Sequence, residues 1–381
     1  MSETLLKTYL LETINNSGPI TFEHYMSLCL YHPQYGYYMQ GRERTGVRGD
    51  FFTSSDLHPV FARLVARQAR EMWEVLGGPE KFSWVEMGAG RGLFASDFLR
   101  WVKRALPKFS SALHYIITEP GARNREKLLG HFRAEGLEHS VELRPDIEEL
   151  EPVTGCFFSN ELVDAFPVSV VTRSGGHLKE IYVTMEGQDL REIPGPISDP
   201  GVAAAVARYA NQLEEGHRVE VSLKAADWIR SVTEKLSRGF VLTIDYGDAA
   251  ERLFTPDRPS GTLMAYHRHV ATEGLYLAPG EQDLTAHVNF SLLLDAGKKS
   301  GIEFTGFTTQ ERFLLALGEA NEFADLYDPG QSEAEKLQAR LKLKRLINPE
   351  GMGNIYKVLV QHRGVKVPAL TGLKYQRPIE P

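Results

Sequence analysis

The stretch VEMGAGRG, Val85 to Gly92, decides the fold, because three glycines separated by single residues directly follow an apolar segment. The preceding residues Phe82, Trp84 and Val85 predict a buried strand. The following residues predict a helix from the spacing of Leu93, Phe94, Phe98, Leu99 and Val102. Glycine allows close approach of the backbone to a ligand, and N–H groups are exposed where a helix begins. The loop therefore indicates a ligand-binding strand-to-helix turn.

The same loop discriminates between two nucleotide ligands. In the dinucleotide fingerprint G-x-G-x-x-G, counted from Gly88, the third glycine would fall at position 93, which is Leu93. Glu86 stands two residues before the first glycine, where a carboxylate suits a ligand that carries an ammonium group. S-adenosylmethionine carries one, so this cofactor is favoured over a nicotinamide dinucleotide. The alternative is a structural turn that needs only small residues.

Two further predicted strands end in acids. LHYIITEP ends at Glu119, one helix and one strand beyond the glycines, where a carboxylate can accept both hydroxyls of a ribose. VELRPDIEEL places Asp146 and Ile147 after the next strand, where the acid could bind the adenine amino group and the isoleucine could pack on the ring. An ordinary charged residue at a strand end remains the alternative for each acid.

Composition is that of an ordinary globular protein. The chain has 381 residues, of which 42% are hydrophobic and 24% charged, and its net charge is −7. The acidic balance disfavours a nucleic-acid partner, and no apolar run approaches the ~20 residues that span a bilayer. Cys29 and Cys156 form no disulfide or zinc pattern. The first arginine is Arg42, so we expect no mitochondrial transit peptide and a cytoplasmic protein.

The order of elements predicts an α/β fold with a doubly wound, Rossmann-like sheet, in which ligands bind beyond the carboxyl ends of the strands. We expect a helical N-terminal region over 1–78 and the core over 79–247, with an inserted hairpin at about 171–200. An inserted substrate-side region is expected over 248–348, and a C-terminal strand and tail over 349–381.

Several segments, in the same order, resemble the MidA-like methyltransferases. They are GPITFEHYMSLCLYHPQYGYY, GDFFTSSD, VEMGAGRG, SNELVDAFP, LTIDYG, GTLMAYHRHV and PGEQDLTAHVNF. The resemblance implies a class I S-adenosylmethionine-dependent methyltransferase core with extra segments. Mitochondrial members of that family are complex I assembly factors that methylate a protein arginine, which implies a protein substrate such as a respiratory-complex subunit. Without a transit peptide, a bacterial cytoplasmic relative is the expected identity.

The resemblance also implies site residues. Cofactor contacts fall on Glu86, Gly88, Gly90, Gly92, Glu119, Asp146 and Ile147. The GDFFTSSD segment would close over the methionine end of the cofactor through Gly49, Asp50, Phe51, Phe52 and Thr53.

Acids near the fourth core strand are the candidate catalytic groups. SNEL places Asn160 and Glu161 just beyond that strand, and the absence of two prolines after Asn160 argues against a nucleobase amine as acceptor. A guanidinium has a pKa above 12, and a pair of carboxylates can bind it through two nitrogens. Glu161 is the first candidate, and the second acid is Asp164, Asp50 or Asp245. A helix N-terminal acid is the structural alternative for Glu161.

A histidine-rich region is predicted to form a wall of the acceptor pocket. His267, His269 and His287 occur there with Glu281 and Asp283. Methyl transfer needs no metal, so we predict none. His269, His287 and Asp283 are instead expected to contact the substrate, with Asp245 nearby.

These observations predict a methyltransferase that acts on an arginine nitrogen of a protein. One alternative is an assembly chaperone that binds S-adenosylmethionine without catalysis. The other is a small-molecule N- or O-methyltransferase. The sequence does not indicate an oligomeric state.

Overall fold

The protein was analysed as a computed structural model that describes residues 4–41, 54–207, 209, 212–267 and 270–379. Its helices are α1 (Leu5–Ser17), α2 (Phe22–Tyr31), α3 (Ser54–Leu57), α4 (Val60–Val75), α5 (Leu93–Ala105), α6 (Pro107–Ala112), α7 (Ala122–Ala134), α8 (Pro200–Ala207), α9 (Leu223–Lys235), α10 (Ala250–Leu253), α11 (Phe290–Lys299), α12 (Gln310–Glu319), α13 (Glu333–Ile347) and α14 (Met352–Ile355). Its strands are β1 (Ile20–Thr21), β2 (Phe82–Met87), β3 (Leu113–Thr118), β4 (Val141–Arg144), β5 (Val153–Asn160), β6 (Ser169–Ser174), β7 (His177–Glu186), β8 (Asp189–Gly195), β9 (Arg218–Val221), β10 (Leu236–Asp248), β11 (Met264–His267), β12 (Val270–Thr272), β13 (Asp283–Thr285), β14 (Val288–Asn289), β15 (Glu303–Thr309) and β16 (Tyr356–Arg363).

The main sheet has the order β15-β16-β10-β5-β2-β3-β4, with β14 beside the end of β10. Neighbouring strands from β4 to β10 are parallel. The strand β16 is antiparallel to both β10 and β15. The predicted doubly wound α/β sheet is therefore confirmed, and it ends in an antiparallel pair.

Both faces of this sheet are covered by helices, because the central strands alternate large apolar side chains between two cores. Trp84 and Phe158 pack on one face with residues of α4, α5 and α12. Val85 and Phe157 pack on the other face with residues of α9 and α11. The strand β2 is buried along its whole length, as expected for a central parallel strand. This burial fixes the loop at its carboxyl end.

A second sheet has the order β1-β7-β6-β9 with β8 on β7, and all of its strands except β1 follow β5 in the chain. Leu10 and Phe22 of α1 and α2 join Val170 and Val183 of this sheet in one apolar core. A third sheet has the order β12-β11-β13. The N-terminal region is consequently divided, since α1 and α2 contact the second sheet, whereas α4 contacts the main-sheet helices α5 and α12.

The predicted boundaries of the inserted region need correction. The range 248–348 was expected to be one substrate-side insertion, but β15 within it is the edge strand of the main sheet, and α11 packs on α9. The physical reason is that β16 needs an antiparallel neighbour beyond β10, which β15 supplies. Within the described part of the chain, no helix is long and apolar enough to cross a membrane.

Candidate cofactor and acceptor site

A cleft of about 1030 Å³ opens at the carboxyl ends of β2, β3, β4 and β5. Open α/β sheets bind ligands at this edge. The cleft is lined there by eight of the residues predicted from the sequence, which are Glu86, Gly88, Gly90, Glu119, Asp146, Ile147, Asn160 and Glu161. Tyr31 and Tyr38 form part of another wall, and Lys224 and Trp228 of α9 form part of a third. The sheet thus brings the cofactor candidates and two acceptor candidates into one space.

The three loop glycines all have positive φ angles, but they have two different roles. Gly88 and Gly90 line the cleft, with φ angles of 75° and 54°. Gly92 has a φ angle of 79° and precedes α5, and a Cβ there would lie 3.0 Å from Phe132 and 3.1 Å from Leu128. Gly92 does not line the cleft. It is required by the close packing of α7, so its placement does not support the predicted cofactor contact.

Glu86 is a buried carboxylate at the end of β2. Only 4% of its surface is exposed, and its Oε2 accepts a hydrogen bond of 2.6 Å from the Tyr115 hydroxyl. Burial raises the pKa of Glu86 to about 7, although the hydrogen bond from Tyr115 opposes the shift. A buried acid with this pKa can be neutral when no ligand is bound and can ionise when it binds a cation. This property fits the ammonium group for which Glu86 was proposed.

The ribose and adenine candidates lie at the ends of the next two strands. Glu119 Oε1 accepts hydrogen bonds of 2.9 Å from the Gly121 N–H and from Asn124 Nδ2, which orient this carboxylate. Asp146 caps the short turn Ile147–Glu149 through its Oδ1, which accepts the Glu148 N–H at 3.1 Å. Both acids line the cleft, and Ile147 lies beside Asp146. Their order along the sheet matches the order of ribose and adenine in a bound nucleoside.

Glu161 adopts a left-handed backbone conformation with a φ angle of 53°, which is costly for a residue other than glycine. Its Oε1 accepts the Ser54 N–H and Asn160 Nδ2, both at 3.1 Å. Its Oε2 accepts the Tyr356 hydroxyl at 2.8 Å. Burial raises the pKa of Glu161 to about 7. The structural alternative placed Glu161 at the start of a following helix, but only the short turn Val163–Ala165 follows it, and Glu161 accepts the N–H of the first residue of α3 instead.

Two more carboxylates lie behind Glu161, outside the lining of the cleft. Asp164 Oδ2 accepts the Tyr246 hydroxyl at 2.5 Å, whereas Asp164 Oδ1 is buried and has no hydrogen-bond partner among the described residues. Asp245 is fully buried, and its Oδ2 accepts the N–H groups of Leu162 and Val163 at 3.1 and 2.9 Å. Burial raises the pKa of both acids, and the charge of Asp164 raises that of Asp245 further. Asp245 therefore holds the backbone after Glu161 in place.

The two described histidines and Asp283 of the predicted acceptor wall lie outside the lining of the cleft. Asp283 is buried and accepts the hydroxyl of Tyr38, which itself lines the cleft, at 2.9 Å. His267 Nδ1 lies 3.0 Å from the Glu281 carbonyl oxygen. Burial lowers the pKa of His287 to about 4, so this histidine is neutral at pH 7. The structure therefore does not support the predicted direct contacts of Asp283 and His287 with substrate, and Asp283 is connected to the cleft only through the hydroxyl of Tyr38.

Some predicted residues fall outside the described part of the chain. They are Gly49, Asp50, Phe51, Phe52, Thr53 and His269. Ser54, at the edge of the GDFFTSSD segment, is described and donates its N–H to Glu161. Among the described residues, no group of histidine, cysteine, aspartate or glutamate could hold a metal ion.

Three site residues carried no signal that would have revealed them in the sequence. Tyr115 and Tyr356 each donate a hydroxyl to an acid, and these acids lie 29 and 195 positions away in the chain. Trp228 lines the cleft from α9, but tryptophan at helical spacing is equally typical of a core residue.

The parallel sheet, the glycine turn with its preceding acid, and the ribose acid together define a class I S-adenosylmethionine-dependent methyltransferase. The comparisons with known proteins agree. Residues 64–308 match the model of a family described as "Putative S-adenosyl-L-methionine-dependent methyltransferase", and the chain belongs to this family.

Solved structures and named relatives extend this result. A Burkholderia thailandensis protein crystallised with S-adenosyl-homocysteine is 32% identical, with a TM-score of 0.86 and coverage of 97% of this chain and 95% of that one. The mouse protein arginine methyltransferase NDUFAF7, mitochondrial, is 26% identical, covering 92% of this chain and 82% of the relative. Its human counterpart is 26% identical, covering 98% and 86%. The chain is thus an S-adenosylmethionine-dependent methyltransferase of this family. It is also similar to these arginine methyltransferases over most of its length.

Proposed function

We propose that this methyltransferase acts on a guanidinium nitrogen of an arginine in a protein. The carrying observation is a cluster of three acids, the half-buried Glu161 that lines the cleft and the buried Asp164 and Asp245 behind it. No lysine or arginine in the described ranges forms an ion pair with any of them. Buried acids are normally paired with a cation, so this cluster has the charge that a cationic acceptor would complement.

The chemistry of methyl transfer fits this charge. The bound cofactor supplies an electrophilic methyl group, and the protein must align the attacking atom and manage its proton. A guanidinium keeps its charge at neutral pH because its pKa exceeds 12. Glu161 can accept a hydrogen bond from one N–H group of the guanidinium. The negative charge of the carboxylate then favours positive charge on the guanidinium nitrogens that do not attack the methyl group. The acids behind Glu161 can then stabilise the charge by their proximity without touching the acceptor.

The named relatives support the same acceptor, since the mouse and human proteins carry the name protein arginine methyltransferase. The motifs shared with MidA-like proteins suggest a respiratory-complex subunit as the protein substrate, and the two free cysteines Cys29 and Cys156 fit the cytoplasm as the compartment. Both are proposals.

The test is methyl transfer from labelled S-adenosylmethionine into the proteins of host cells that lack this chain. We expect the label in mono- or dimethylarginine, identified by mass spectrometry of digested protein. Glu161→Gln should lower incorporation by ~10²-fold or more, the usual cost of removing a positioned acid or electrostatic group. Its affinity for S-adenosylhomocysteine should stay unchanged, because the acids predicted to bind the cofactor, Glu86 and Glu119, lie on β2 and just beyond β3, whereas Glu161 follows β5.

Other results would redirect the assignment. Label confined to small molecules would indicate a small-molecule methyltransferase, and cofactor binding with no transfer would indicate a non-catalytic chaperone. Normal incorporation by both Glu161→Gln and Asp164→Asn would refute a role for the acid cluster.

A further inference from the structure

Tyr356 lies where the C-terminal strand meets the acceptor end of the cleft. It is the first residue of β16 and pairs in register with Tyr246 of β10. Because β16 is antiparallel to β10, its first residue lies at the edge where the parallel strands end. Tyr356 is 8% exposed, and its hydroxyl donates to Glu161 Oε2 at 2.8 Å. A residue from the last strand of the sheet thus completes the surroundings of Glu161.

The hydrogen bonds of Glu161 leave its carboxylate few lone-pair sites with which to bind the methyl acceptor. A carboxylate has about four lone-pair sites, two on each oxygen. Oε1 already accepts the Ser54 N–H and Asn160 Nδ2, and Oε2 accepts the Tyr356 hydroxyl. Among the contacts of the described residues, one site on Oε2 remains. Glu161 can therefore accept a single N–H of a guanidinium, and not the two parallel N–H bonds of a bidentate pair.

We propose that Tyr356 is a positioning residue for the acceptor, because its hydroxyl fixes the Glu161 carboxylate with one lone pair of Oε2 left to receive one guanidinium N–H. This inference rests on the proposed arginine function. The acceptor is then orientated by one bond to Glu161, so the direction of that bond decides which nitrogen faces the methyl group. Without the Tyr356 hydroxyl, Oε2 gains a second open site, and the carboxylate loses the bond that fixes it about its last torsion angle.

The Tyr356 hydroxyl also affects the ionisation of Glu161. The groups that face Glu161 are the Tyr356 hydroxyl, the Ser54 N–H, the Asn160 amide and the carboxyls of Asp164 and Asp245. Burial and the charge of Asp164 raise its pKa, whereas the donors lower it. With the hydrogen bond from Tyr356 present, the pKa of Glu161 is about 7. Removal of the Tyr356 hydroxyl should therefore raise the pKa of Glu161.

The experiment compares Tyr356→Phe with the unchanged protein and with Tyr375→Phe. Tyr375 donates its hydroxyl to Glu319 on the surface, so it is a tyrosine–carboxylate pair of the same kind outside the cleft. The first readout is the carbon NMR titration of the Glu161 carboxyl in protein labelled at glutamate, identified by the signal that Glu161→Gln lacks. The second is the pH profile of methyl incorporation into extract protein at saturating cofactor, with thermal melting as the check on folding.

We expect Tyr356→Phe to raise the titration midpoint of Glu161 by about one pH unit, because the hydroxyl donates a hydrogen bond that stabilises the ionised carboxylate. The acidic limb of the transfer profile should move by the same amount. Incorporation at pH 7 should fall about fivefold from lost ionisation, and a further loss should persist at pH 9 from misorientation. Tyr375→Phe should match the unchanged protein in both readouts.

The outcomes distinguish the positioning role of Tyr356 from the proposed arginine function. If Glu161→Gln abolishes transfer while Tyr356→Phe leaves both the midpoint and the profile unchanged, the positioning role is wrong and the arginine function stands. A Tyr356→Phe variant that loses activity equally at every pH, with an unchanged midpoint, likewise refutes the positioning role. If Glu161→Gln transfers normally into methylarginine, the positioning role is wrong, and if the unchanged protein places no label in methylarginine, the proposed function fails, whatever the NMR titration shows.

Discussion

The cofactor end of the cleft makes a quantitative prediction about pH, which depends on Glu86. Its folded-state pKa of about 7 lies above the ordinary value because the group is buried. The acid is therefore largely protonated at pH 6 and ionised at pH 8. The stability that this group contributes is present below pH 4.5 and is lost as pH rises through about 7. A ligand that carries an ammonium group prefers the ionised form, so its binding at pH 6 must release a proton.

The expected magnitude follows from the fraction that is ionised. One pH unit below the pKa, about a tenth of Glu86 is ionised, so the affinity for S-adenosylhomocysteine should be about tenfold weaker at pH 6 than at pH 8. Calorimetry in buffers with different ionisation heats should show about one proton released per ligand at pH 6. Glu86→Gln should bind more weakly at pH 8, with no release of a proton and no such pH dependence.

Tyr115→Phe supplies a matched control that keeps the acid. Removing the hydroxyl that donates to Glu86 should move the midpoint of the affinity profile to higher pH, because this bond lowers the pKa. A pH-independent affinity in the unchanged protein, or a Glu86→Gln variant that binds as well as the unchanged protein, would contradict the assignment of Glu86 to the ammonium group.

Two further predictions concern the rest of the cofactor end. Glu119→Ala should weaken S-adenosylhomocysteine by about 2–4 kcal/mol through loss of two charge-assisted hydrogen bonds to the ribose, measured by calorimetry. Unchanged affinity would mean that Glu119 does not face the ligand. Gly90→Ala should abolish cofactor binding with a stability loss of about 1–2 kcal/mol, because its Cβ meets no protein atom within 4 Å and points into free space. Gly92→Ala should lower the melting temperature more but preserve affinity per folded molecule, since its Cβ would meet the side chain of Phe132 at 3.0 Å; equal effects of the two substitutions would refute the distinction.

The fold was predictable wherever the signal was local. The apolar run before Gly88 and the helical spacing after Gly92 are confirmed as β2 and α5. The position of β15 was not predictable, because an antiparallel edge strand is defined by its pairing with β16, some fifty residues later in the chain. Local patterns in the intervening sequence therefore suggested an insertion. Pairing at this distance leaves no periodic signature in either segment.

The candidate site was likewise predictable only where the sequence signal was local. An acid at the end of a strand was the signal for Glu86, Glu119 and Asp245 alike, and the first two line the cleft. Asp245 gives the same local pattern but binds the N–H groups that follow Glu161. The sequence cannot distinguish a ligand-binding acid from one that binds backbone, because both need the same side chain at the same edge. Only the path of the neighbouring loop decides between them.

Two acids that line the cleft share one feature, a carboxylate that accepts a tyrosine hydroxyl. Glu86 is bound by Tyr115 and Glu161 by Tyr356, and burial raises both pKa values to about 7. Glu86 lies on β2 and Glu161 just beyond the adjacent parallel strand β5. Adjacent strands lie ~4.8 Å apart, so the sheet itself sets the lateral spacing of the two acids. Each acid can bind a cation when one arrives and return to its neutral form when the cation leaves. Both properties would suit a site that binds the cationic cofactor and the proposed guanidinium acceptor in turn, because a buried acid that is neutral when unoccupied avoids the cost of an unpaired charge.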